Sequence, residues 1–189
     1  MNAPGGLFAL PMPSLASERL VLRAFAPSDA SDVTRYLSDA AVARNTLTIP
    51  HPYPAGAAEE FIARHAPDWS AGKRAVWAIT DSADGALLGA VGLHFDLAHH
   101  KAEVGYWIAV PAWGKGIATE AVRRVIAFGF DDLALHRIDA QHYAENPASG
   151  RVMTKAGMRH EGLMRGVVFR EGVPRDNALY AILRTDPRP

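Results

Sequence analysis

The sequence predicts a single α/β domain built on a mixed, mostly antiparallel sheet of about seven strands, with a central parallel pair and flanking helices. Three observations carry this expectation. Short alternating segments bounded by turn signals recur along the chain, one strongly periodic helix interrupts them past the midpoint, and strands are predicted on both sides of that helix. A helix that crosses between two strands of one sheet makes them parallel. At 189 residues the chain is long enough to bury one continuous core without staples. The expected domain is residues 1–189, with the Pro-rich ends 1–13 and 185–189 expected to fray.

Arg19 to Ala26 alternates apolar and polar side chains and is the first predicted strand. Asp29 to Leu37 and Ala57 to Ala66 read as helices flanking a His51-Pro52-Tyr53-Pro54 loop. Val76 to Thr80 and Leu87 to Phe95 are strands joined across an Asp84-Gly85 turn signal, and Ala102 to Val110 is the fourth strand. In the helix that follows, Ala118, Ala121, Val122, Val125 and Gly129 form one stripe, widened by Ile126, Phe130 and Leu133. Glu120, Arg123, Arg124 and Asp131 take the other side. Arg137 to Tyr143 is the fifth strand. Pro147 to Ala156 is a helix with proline at its first position and Asn146 as its cap. Strands over Arg159 to Gly166 and Asn177 to Leu183 complete the sheet.

Composition excludes several function classes. No cysteine is present, which removes disulfide frameworks, cysteine-rich zinc sites and a thioester intermediate on the protein. Twenty basic and twenty acidic side chains cancel, so no overall field attracts nucleic acid or an anionic membrane. No basic leader precedes a long apolar run and no segment has the length of a bilayer span, so the expected location is the cytoplasm. The eight histidines are scattered apart from the adjacent His99-His100, and no metal site is expected. Ser70-Ala71-Gly72-Lys73 has Ser-x-x-Lys spacing without its companion motifs and is read as chance.

The most informative stretch is Trp113-Gly114-Lys115-Gly116-Ile117-Ala118-Thr119-Glu120, entered from a strand and left through the periodic helix. Two glycines permit a tight turn and close approach of a ligand, and the first helical amides have no intrahelical partners. Phosphate oxygens suit such a place. It is not a P-loop, because Ala109 stands where the first glycine belongs, nor a dinucleotide fingerprint, because Thr119 replaces the third glycine.

With these elements placed, Ala102-Glu103-Val104-Gly105-Tyr106-Trp107, the loop, and Thr119-Glu120-Ala121 resemble the GNAT N-acetyltransferase superfamily, and within it the RimJ/RimL-like ribosomal-protein branch. Ser17 to Arg23, His51-Pro52-Tyr53, Asn146-Pro147-Ala148-Ser149, Lys155 to Met158 and Glu161-Gly162 fall in the same order. The resemblance implies direct transfer of acetyl from acetyl-CoA to a primary amine, with a protein N-terminus as acceptor. It implies coenzyme binding by Ile108, Val110, Trp113, Gly114, Lys115, Gly116, Ile117, Ala118, Thr119, Asn146, Ser149 and Lys155, and acceptor binding by His51, Tyr53 and Tyr106. Trp113 departs from the usual Arg or Gln at the head of the family's coenzyme signature, which shifts phosphate binding toward backbone amides. Monomer and homodimer both remain open.

Such a transfer requires an uncharged amine and a proton for the departing thiolate. Glu103 is the candidate base: it shares a strand face with Gly105, Trp107 and Ala109, beside an aromatic that lowers local polarity. From the strand alone it reads equally as a solvated strand-end glutamate, and the resemblance selects it. Glu120 is read as structural, a carboxylate in a helix first turn. Ser149 is the candidate acid, since many family members carry a tyrosine one turn later and Met153 stands there. An ordinary first-turn serine is the alternative reading. Also open are a polyamine, amino-sugar or drug acetyltransferase, a non-catalytic acyl-CoA sensor, and an unrelated phosphate-ligand module.

Overall fold

The computed structural model describes residues 6–189. Among these residues eight strands form one sheet in the order β1-β2-β3-β4-β5-β6-β8-β7. They are β1 (Leu15–Ala16), β2 (Leu20–Arg23), β3 (Arg74–Asp81), β4 (Leu87–Asp96), β5 (Lys101–Ile108), β6 (Arg137–Tyr143), β7 (Arg159–Arg170) and β8 (Val173–Leu183). The helices are α1 (Ala30–Leu37), α2 (Ala40–Ala43), α3 (Ala57–Ala63), α4 (His65–Ser70), α5 (Ile117–Asp131) and α6 (Pro147–Lys155). Every neighbouring pair is antiparallel except β5 and β6, the parallel pair that the crossover helix α5 requires.

Both faces of the central strands are covered, which is why β3 is apolar at successive positions rather than alternately. Ala75, Trp77 and Ile79 face α5, where Val122, Val125 and Phe128 meet them; Val76 and Ala78 face α1–α3 and pack with Val33, Leu37 and Ala58. Gly129 explains how closely α5 can lie: a Cβ there would stand 2.7 Å from Ile138 Cδ1 on β6. A larger residue at that point would push the helix off the sheet.

The mixed sheet with its one parallel pair is the fold expected; the strand beyond the seven read from the sequence is the two-residue β1, too short to show alternation, which pairs with β2 as Leu15↔Leu22 and Ala16↔Val21. Several bounds are corrected. The first long strand stops at Arg23, before a 3₁₀ turn at Pro27–Asp29. The helix expected over Ala57 to Ala66 is two helices, and β5 ends at Ile108 rather than Val110, with a 3₁₀ turn at Val110–Ala112. The last two strands form a longer hairpin, closed by Glu171 (φ 53°) and Gly172 (φ 76°), both left-handed. Residues 1–5 of the tail expected to fray lie outside the described residues; the described parts of both ends make contacts with the domain. Phe8 is buried against Trp69, and the indole N–H groups of Trp69 and Trp77 donate to the Leu10 and Pro13 carbonyls at 2.7 and 2.8 Å. At the other end Asp186 pairs with Arg159 and Arg188 with Asp131.

Candidate active site

The site is where the sheet forks. β5 and β6 pair only at Lys101↔Arg137, Ala102↔Ile138 and Glu103↔Asp139, yet β5 runs on to Ile108 and β6 to Tyr143. Beyond Glu103 the two strands diverge, leaving the facing edges of their backbones without a strand partner among the described residues. A cleft of about 420 Å³ lies there, between the end of β5 and the starts of α5 and α6.

The loop into α5 forms one wall. Gly114 (φ 75°) and Gly116 (φ 79°) are left-handed, a conformation that costs other residues about 1–2 kcal/mol. A Cβ at Gly114 would meet nothing within 4 Å, so the turn faces open space and leaves room for a ligand against its backbone. Gly116 caps α5 without a side-chain hydrogen bond, and the amides of the first helical turn face the cleft. Trp113 holds the loop by donating from its indole to the Ile108 carbonyl at 2.7 Å, while almost half of the residue stays exposed.

The loop is braced from outside by residues far away in sequence. Glu120 accepts from the Ser17 hydroxyl, from the Arg19 amide and from Arg19 Nε, each at 2.8 Å, and Arg19 Nη1 donates to the Lys115 carbonyl at 3.1 Å. Burial alone would raise this carboxyl. The donations from Arg19 and Ser17 outweigh that and hold it below the ordinary carboxylate range.

The opposite wall is α6. Asn146 caps it, accepting from the Ser149 amide at 3.3 Å and donating to Ser149 Oγ at 3.0 Å. Of the residues expected to bind the coenzyme, Ile108, Trp113, Gly114, Gly116, Ile117, Ala118, Thr119, Asn146, Ser149 and Lys155 line the cleft. Val110 and Lys115 do not line it; Val110 packs beside Trp107 on the other face. Tyr106, expected on the acceptor side, also lines this cleft, and its hydroxyl donates to the Ser149 carbonyl at 3.3 Å. Burial pushes its phenol up to about 12, so it is a protonated donor at neutral pH. Met153 is fully buried in the core.

Glu103 stands at the apex of the fork, on the sheet face away from Tyr106, opposite Asp139. Partial desolvation and then the Asp139 carboxylate push it above its ordinary value, against the pull of Lys101. Asp139 is itself held by Arg137, which also clamps Glu161 at 2.9 and 2.6 Å. Of the other acceptor-side expectations, Tyr53 packs into the core beneath α1–α3, and His51 lines a second cavity of about 440 Å³. Asn45 and Asn146 line both cavities. The structure adds Thr46, Trp107, Arg151 and Val152 to the cleft. Arg151 and Lys155 stand one turn apart on α6, a spacing visible in the sequence; nothing local signals Thr46.

Such a fork leaves two open strand edges with the first amides of α5 at one end, room for an extended chain with an anionic end; Glu103, at the apex, lines neither cavity. Residues 19–159 match the family described as acetyltransferase (GNAT) domain. The uncharacterized N-acetyltransferase YoaA of Bacillus subtilis is 30% identical over 178 residues, 91% of this chain and 97% of that protein. The putative ribosomal N-acetyltransferase YdaF of the same organism is 36% identical over 104 residues, 54% of this chain and 57% of that protein. Among solved structures, Mycobacterium smegmatis RimJ in complex with CoA-disulfide superimposes with a TM-score of 0.81 at 25% identity, over 90% of this chain and 87% of that one.

Proposed function

The chain belongs to the GNAT acetyltransferase family and takes its acyl group from acetyl-CoA; from that premise we propose that its acceptor is a protein N-terminal α-amine of the ribosomal-protein type, acetylated in the cytoplasm. The fork carries the reading. We assign proton handling to two groups beside it: the Glu103 carboxyl at its apex, raised by burial, and the Ser149 hydroxyl on the α6 wall.

Glu103, directly or through one water, removes the ammonium proton. The amine nitrogen then bonds to the thioester carbonyl carbon, and as the carbon–sulfur bond breaks the nitrogen gives up its second proton, which passes through Ser149, directly or by way of water, to the thiolate. An α-amine has a free pKa near ~8 against ~10.4 for lysine, so a single carboxylate suffices for an N-terminus. YdaF, named a putative ribosomal N-acetyltransferase, supports the same acceptor class. Small amines are the second reading, since a spermidine N-acetyltransferase chimera shares the fold.

The test is an acceptor panel of N-terminal peptides, polyamines and amino sugars, run with wild type and Glu103→Gln. Peptides should be the fastest acceptors, and the glutamine variant should lose kcat while binding acetyl-CoA nearly as before. Faster acetylation of spermidine or an aminoglycoside than of every peptide would overturn the α-amine assignment.

A further inference from the structure

We propose that the second cavity selects acceptors with an anionic group close to the amine, read by Arg170 and Tyr143, and that the acceptor is a peptide with an acidic side chain at its first or second position. This rests on the α-amine reading above.

The cavity adjoins the coenzyme cleft through Asn45 and Asn146, so a molecule seated in it can direct its amine toward the fork. Its lining carries Arg44, Arg170 and Arg175 against Glu145 and Glu171. Those two carboxylates are already engaged. Arg175 Nη1 holds both oxygens of Glu145 at 2.8 and 2.6 Å, and Glu171, mostly exposed, lies 3.5 Å from Arg170 Nε. Arg44 is anchored through Nε to the Ala40 carbonyl at 3.3 Å and meets no carboxylate within ion-pair distance among the described residues.

Arg170 is the informative group. Its side chain is only 12% exposed, and Nη2 donates to the Ile49 carbonyl at 3.3 Å, across 121 residues of chain. Its Nη1 and the Tyr143 hydroxyl are both buried with no hydrogen-bond partner among the described residues, and Tyr143 as a residue is more than nine-tenths buried. Buried donors without acceptors are costly, and a group that only accepts relieves both at once. A carboxylate or phosphate does this and adds attraction to the guanidinium. A polyamine brings donors to donors and positive charge to positive charge. At about 440 Å³ the cavity falls in the size range of drug-like ligand pockets, with room for more than one residue.

The test uses three hexapeptide amides beginning Ser-Glu, Ser-Gln and Ser-Lys and otherwise identical, with free glutamate as a fourth arm. Each is titrated calorimetrically into CoA-saturated protein and assayed with acetyl-CoA. The Glu peptide should bind about tenfold or more tighter than the Gln peptide, with the Lys peptide weakest and free glutamate below the Glu peptide. Arg170→Gln should bring the Glu and Gln peptides within about twofold of each other. Tyr143→Phe, which removes one oxygen and keeps the ring, should close part of the same gap. Equal binding of the Glu and Gln peptides to wild type, or equal weakening of all peptides by Arg170→Gln, would overturn the inference. Free glutamate binding as tightly as the peptide would overturn its choice of a peptide. Charge-selective binding without turnover would reject the α-amine reading and leave Arg170 recognition standing; turnover of all three peptides at one rate would do the reverse.

Discussion

Glu120→Ala should both destabilise the fold and loosen the coenzyme loop, because one carboxylate ties the start of β2 to the start of α5. The Arg19 ion pair at 2.7 Å is half exposed on the arginine side and is worth about 0.5–1 kcal/mol. The donations from the Arg19 amide and the Ser17 hydroxyl add about 1 kcal/mol, and a first-turn carboxylate about 0.5 kcal/mol more. A loss of about 2–2.5 kcal/mol corresponds to a fall in Tm of roughly 4–10 °C for a chain of this size. The effect is pH-dependent with a definite sign. The folded carboxyl lies below its ordinary value of 4.5, so its contribution is complete above that pH and disappears as pH falls through the depressed folded value. Thermal unfolding of wild type and variant at pH 7 and at successively lower pH reads this directly, and the two Tm values should converge in acid. CoA affinity should fall severalfold, since Arg19 no longer holds the Lys115 carbonyl. A variant within 2 °C of wild type at pH 7, or one with unchanged CoA affinity, would refute the bracing argument.

Gly116→Val places a branched residue at φ 79° and should weaken CoA binding by tenfold or more in a chain that still folds, measured by calorimetry. Ser149→Ala should lower kcat by about tenfold to a hundredfold, toward the low end of general-acid effects, because a thiolate with pKa near ~8.5 already leaves fairly well. Tyr106→Phe is its control: normal turnover in the alanine variant with a large loss in Tyr106→Phe would move the acid role to the phenol. His65 lies buried between Phe25 and Phe61, and burial lowers it from 6.5 to about 4. It is neutral in the fold, so protonation of the unfolded chain should erode stability as pH falls from 6.5 toward about 4. Urea unfolding should show that erosion in wild type and a shallower one in His65→Phe; equal slopes would count against it.

What the sequence revealed depended on the range of the signal. α5 was legible because its apolar stripe, its two preceding glycines and its polar face all lie within twenty residues and agree with one period. The parallel pair followed from that helix. The fork did not, since nothing in Lys101 to Ile108 marks Glu103 as the last paired residue; divergence is a property of two strands and the helices beneath them. Alternation put Glu103 on one face of β5, and the same rule applied to Tyr106 puts it on the other, beside Ser149. The Arg19–Glu120 brace spans 101 residues and the Arg170–Ile49 contact spans 121, distances at which residue spacing carries no information. The docked N-terminal segment escaped notice for a related reason. Its role is to offer the Leu10 and Pro13 carbonyls to two indoles more than fifty residues on.

The fork also has a mechanical consequence. Five strands on one side and three on the other are riveted by three residue pairs, so the sheet is two stiff ribbons sharing a narrow hinge. An extended molecule seated between them occupies the place of a ninth strand and can bond along both open edges. Filling the fork should therefore couple two ribbons that otherwise flex separately. Amide exchange would register this at Gly105 to Ile108 and at Ala140 to Tyr143, on both banks of the fork, rather than only at the glycine loop ahead of α5.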